Sequence, residues 1–121
     1  MEHFQFSEDL AIRPEDRLLE GVSISPLTSP MASGGTFQVA IFRIEPGGGI
    51  RRHPASTPQI IAVVRGIGEV AGGDGVFRQV KEGDGVFFAR GEEHETRSKE
   101  GMTAIIVEGE SLRPFGWRDS E

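Results

Sequence analysis

The sequence contains no cysteine, which excludes a disulfide framework, a thiolate zinc site and a cysteine nucleophile. Lysine is nearly missing too: Lys81 and Lys99 are the only two, and the other cations are arginines. With a formal net charge of −6 and no basic stripe, the chain is a poor partner for nucleic acid, and Arg51-Arg52 is too short to change that. No apolar run approaches the roughly 18 residues needed to span a bilayer, so no membrane association is expected. The opening residues Met1-Glu2-His3-Phe4-Gln5 lack the basic start and apolar stretch of a secretory signal, and a cytoplasmic protein is expected.

What is present points to β structure. Glycine is abundant, at 17 residues of 121, apolar runs are short, and turn residues punctuate them at intervals of about ten. Phe37 to Ile44 is rich in β-formers and is expected to end at Pro46-Gly47-Gly48-Gly49. Gln59 to Val64, Gly66 to Val70, Val76 to Val80, Val86 to Phe88, Glu93 to Arg97 and Met102 to Glu108 read as further strands. Gly72-Gly73-Asp74-Gly75 and Gly83-Asp84-Gly85 read as turns, since glycine accepts positive φ. A short helix or turn is expected at Ser7 to Ile12, with Ser7 as its cap. Ser23 to Ser33 reads as an extended connector, and the tail with the single tryptophan, Trp117, as a cover for the barrel or a partner, or as a frayed end. Many short strands with even turn spacing define an all-β class, a sandwich or a small barrel.

Two of the three histidines open strands. His53 follows the glycine-rich segment, and His94 follows Gly91-Glu92-Glu93. Alternation puts His53, Ala55, Gln59, Ile61 and Val63 on one side, and His94, Thr96 and Ser98 on one side. Of the adjacent Phe87 and Phe88, one must face inward, and Phe88 is assigned to the pocket. One further pattern is a decoy. Gly66-Ile67-Gly68-Glu69-Val70-Ala71 fits a dinucleotide fingerprint, but Gly72-Gly73 stops any helix there, so no nucleotide cofactor is expected.

The spacing Gly47-(five)-His53-Pro54-Ala55-(three)-Gln59-(six)-Gly66 resembles the first motif of the cupin family. Gly83-(five)-Ala89-Arg90-Gly91-(two)-His94-(three)-Ser98 resembles the second. The resemblance is to the small single-domain cupins of the RmlC-like superfamily, the cupin-2 type of conserved barrel. It implies a double-stranded β-helix, the jelly-roll barrel, over residues 36–109, preceded by N-terminal strands and a connector (1–35) and followed by a tail (110–121), all one domain. It also implies a homodimer.

Metal-dependent members of that family use two histidines and a glutamate from the first motif and a histidine from the second. His53 and His94 hold two of those places, Ala55 stands for the second histidine, and Gln59 for the glutamate. Two imidazoles and the Gln59 carbonyl are a reasonable donor set for Zn²⁺, Ni²⁺, Cu²⁺ or Fe²⁺ rather than Mn²⁺, with open positions for water. Glu92, Glu93 and Glu95 flank His94 but, by alternation, Glu93 and Glu95 turn away from its face. The expected pocket is lined by Ala55, Ile61, Val63, Phe88 and Thr96. Two functions follow: a metal-dependent oxygenase, isomerase or lyase acting on a small organic molecule, or a metal-free module that binds or senses a small metabolite. Arg43 and Arg65 end apolar strands; they read as solvated strand ends, with an anion clamp at the barrel mouth as the alternative.

Overall fold

The computed structural model describes residues 1–29 and 37–116; Trp117 and its tail lie outside these. Seven strands form the molecule: β1 (Leu19–Pro26), β2 (Phe37–Pro54), β3 (Gln59–Ala71), β4 (Phe77–Lys81), β5 (Gly85–Phe88), β6 (Glu93–Ser98) and β7 (Met102–Gly109). All pairings are antiparallel, and β2 and β3 are long enough to serve two sheets each. The first half of β2 pairs with β7 and its second half with β6, while β1 pairs with both halves across a bulge. β3 likewise pairs with β7 and β5 early, then with β4 and β6. Two strands that pass from one sheet to the other close the double-stranded β-helix.

The passage depends on glycine. Pro46-Gly47-Gly48-Gly49 does not stop a strand, as the sequence suggests, but lies inside β2. A Cβ on Gly48 would meet the Glu20 carbonyl oxygen at 2.5 Å, and one on Gly49 the Thr96 oxygen at 2.6 Å. These glycines permit close approach of three backbones rather than reversal of one. Gly66 bends β3 in the same manner, with φ +86°, so the two segments expected around it are one strand.

The two expected glycine turns form. Gly75 N–H donates to Gly72 O at 3.0 Å and Asp84 N–H to Lys81 O at 2.9 Å. The segment Ser23 to Pro26, expected as connector, belongs to β1, where Ser23 and Ser25 are buried and Ser25 Oγ accepts from Arg43 Nη1 at 2.7 Å. Partnered hydroxyls allow a serine-rich segment to serve as a covered strand. Glu8–Leu10 is a single 3-10 turn; Ser7 precedes it but makes no side-chain cap.

Alternation then builds the interior. Val22, Ile44, Ile61, Val63, Ala104 and Ile106 belong to one apolar cluster between the sheets. Burying such side chains stabilises by about 1.5–3 kcal/mol each. Toward one end the cluster gives way to a cavity, and there the histidines stand.

Candidate active site

His53 on β2 and His94 on β6 are direct cross-strand partners. Upstream, Ile50 pairs with Thr96, so three residue steps on β2 match two on β6. This bulge places one extra residue on β2 and turns His53 to the same interior side as Ile50, where strict alternation would have opposed them. The result is a pair of rings with centroids 4.4 Å apart.

Both rings are fixed in the same way. His53 Nδ1 lies 2.7 Å from Arg51 O, and His94 Nδ1 lies 3.1 Å from Glu92 O, each the carbonyl two residues back. A carbonyl only accepts, so each Nδ1 carries the proton and each Nε2 is left with its lone pair. Among the described residues neither Nε2 has a hydrogen-bond partner, and both histidines line one cavity. Phe88 stacks on the His94 ring at 4.3 Å. Burial pushes the His94 imidazole below its ordinary value; the bond to Glu92 O opposes the shift, and the charge of His53 adds to it.

The strands that carry the histidines are clasped at their ends. Ala55 N–H donates to Glu92 O at 3.0 Å, and Gly91 N–H to Ala55 O at 2.7 Å. Glu92 is consumed by this corner: its Oε1 accepts from Ala89 N–H and its Oε2 from Gly73 N–H. Ser98, in the place of the family asparagine, donates to Ile67 O and accepts from Gly101 N–H, and so builds a turn.

The cavity measures about 210 Å³ and has apolar walls, Leu19, Ile24, Phe42, Ile50 and Ile106 among them. His53, Gln59, His94 and Thr96 share it with Ala55 and Ile61. Val63 and Phe88 do not line it. Val63 lies deeper in the apolar cluster, and Phe88 sits behind His94 as its stacking partner. None of Glu92, Glu93 and Glu95 reaches the cavity. Arg43 and Arg65 are not at its mouth either: they flank Thr103 on the sheet's outer side, beside a separate surface groove.

The carboxylate that sequence reasoning missed is Glu108. It pairs with Gln59 across β3 and β7 and lines the cavity with it. Burial raises its pKa, and the charge of His53 partly offsets that. The signal was present, because Met102, Ala104, Ile106 and Glu108 alternate as one face and a carboxylate ends an apolar row. Register with Gln59 was not.

An all-β barrel of this topology with two facing histidines defines a class. The profile of the Cupin domain matches residues 40–110, and the chain belongs to the cupin family. No curated protein matches the chain. Among solved structures, the fold is similar to the polyketide cyclase RemF from Streptomyces resistomycificus, with TM-score 0.75 and 18% identity over 94% of this chain and 82% of that one. It is also similar to a predicted oxalate decarboxylase from Thermotoga maritima (TM-score 0.75, 22% identity, 88% and 96% covered). An acetylacetone dioxygenase from Acinetobacter johnsonii gives TM-score 0.74 and 16% identity over 90% and 74%. At these identities the likeness is one of fold.

Proposed function

We propose that this cupin binds a small organic molecule in the His53–His94 cavity and acts on it with a divalent transition metal ion held by His53, His94 and Gln59. The observation that carries the reading is the pair of imidazoles fixed through Nδ1 to backbone carbonyls, with neither Nε2 partnered among the described residues and both histidines on one cavity. That is how metal-ligating histidines are oriented. The donor chemistry fits Zn²⁺, Ni²⁺, Cu²⁺ or Fe²⁺, and Gln59 lines the same cavity. A bound ion would supply Lewis acidity to a ligand oxygen. The chain's own residues then orient and exclude: the apolar walls hold the ligand body, Thr96 offers a hydroxyl, and Glu108 can take or return a proton. Oxygenase, isomerase and lyase chemistry all suit such a site.

A second reading is a metal-free binding module. It is favoured by one observation: among the described residues no third His, Cys, Asp or Glu joins the two histidines at metal-binding distance. Elemental analysis of tag-free protein separates the two. About one equivalent of metal, lost in the His53→Ala, His94→Ala double variant, is the expected result. A metal-free protein after incubation with Zn²⁺, Ni²⁺, Cu²⁺ and anaerobic Fe²⁺ would overturn the metal site and leave the binding module.

We also propose that the protein is a homodimer, joined through the outer side of β2 and β7. Val39 pairs with Val107 and Ile41 with Ile105 there, beside Phe37, which is 55% exposed. A half-buried apolar sheet face beside an exposed phenylalanine is the kind of surface that a second copy covers.

A further inference from the structure

We infer that the cavity selects uncharged or cationic molecules of single-ring size, with Glu108 as the acceptor for a donor group on the ligand, and that it turns carboxylates away. The inference rests on the small-molecule reading above and names its substrate class.

Size comes first. A cavity of about 150 Å³ holds benzene, so about 210 Å³ admits one ring with a substituent.

Charge decides the rest. The ionisable side chains on the cavity are Asp16, His53, His94 and Glu108, and no lysine or arginine lines it among the described residues. Two of the arginines that flank the site in sequence are engaged elsewhere, and none of them lines the cavity. Arg52 donates to the Gly72 and Gly73 carbonyls. Arg90 donates to Ser56 O and pairs with Glu110. An anionic ligand would thus meet two carboxylates and no permanent cation. This holds for the metal-free cavity; a divalent ion on the histidines would itself coordinate a carboxylate.

Glu108 supplies the positive half of the argument. Glu108 lines this cavity and a neighbouring groove, and its side chain enters none of the hydrogen bonds or ion pairs among the described residues. Gln59, its cross-strand neighbour, does not bond it either. A partly buried carboxylate without a donor is satisfied by a hydroxyl or ammonium group on what binds there. Asp16 differs: it is exposed at the mouth, and its Oδ1 already accepts from Leu18 N–H at 2.9 Å.

Three probes with one ring test this: benzylamine, benzyl alcohol and benzoate, titrated calorimetrically into the full chain after chelation of any metal. Benzylamine and benzyl alcohol are expected to bind at least about tenfold more tightly than benzoate. Glu108→Gln is expected to cut the benzylamine preference by about tenfold, since a charge-assisted bond becomes a neutral one. Equal or tighter binding of benzoate, no binding of benzylamine, or a preference unchanged in Glu108→Gln would each overturn the inference. The wild-type preference is decisive by itself if the variant does not fold. Failure of the metal reading shows separately, as absence of metal with the preference intact.

Discussion

His94 and Glu108 bring opposite pH dependences to the same cavity. Burial lowers the His94 pKa, so between that lowered value and the ordinary histidine value of about 6.5 the unfolded chain binds more protons than the folded one. Stability therefore falls as pH drops through that window. Glu108 is shifted upward by burial, so its folded form holds the proton in the window above its ordinary value, and stability falls as pH rises through it. Glu108→Gln removes this second dependence. The variant is expected to melt higher than wild type at pH 8 and to lose that advantage at pH 4, as followed by calorimetric melting. Ala55 offers the reciprocal test. Its methyl group lines the cavity in the place of a family histidine, and Ala55→His adds a third imidazole. Zinc affinity is expected to rise by at least about tenfold, measured by competition with a chromophoric chelator. At this scale the sequence revealed the histidines, because their spacing from fixed glycines is local. Glu108 stayed hidden because its meaning comes from facing Gln59 across a strand pair, and no local pattern encodes which residues of two distant strands become opposite.

Elements tell a different story, since strand positions were legible and strand ends were not. Gly47 to Gly49 and Gly66 look like stops in a linear reading, where glycine signals a turn. In β2 and β3 they are the places where other backbones press in. A Cβ at Gly66 would fall 2.3 Å from Gly101 O and 2.9 Å from Met102 Cα, and its φ of +86° suits glycine alone. Gly66→Ala is expected to destabilise by about 3 kcal/mol or more, read as a lowered urea midpoint. Gly83→Ala, where nothing lies within 4 Å of the added carbon, is expected to cost about 1–2 kcal/mol from its φ alone. The bulge before His53 was equally invisible. Alternation from His53 onward follows the sequence, but the extra residue that lets Ile50 and His53 face one way exists only in the pairing with β6.

Across the whole molecule, one side of the barrel wall differs from its surroundings. The outer row of Val39, Ile41, Ile105 and Val107 adjoins the Arg43–Thr103–Arg65 row, so an apolar field borders a cationic one. The proposed homodimer through this field predicts that Val107→Lys converts the dimer to a monomer by sedimentation while the far-ultraviolet spectrum is unchanged. A wild-type monomer at micromolar concentration would overturn the interface. No helix among the described residues is long and apolar enough to cross a membrane.

The clasp between Ala55 and Gly91–Glu92 has a consequence in time. The two imidazoles sit far apart in the sequence, and each is oriented by its own strand, yet they meet only when β6 docks on β2. During synthesis the emerging chain carries His53 long before His94, its cross-strand partner, exists. Long-range pairings of this kind form late, because the intervening loop must be closed first. Whatever requires both rings therefore arrives after the barrel has closed, which makes admission a property of the finished protein and not of the growing chain.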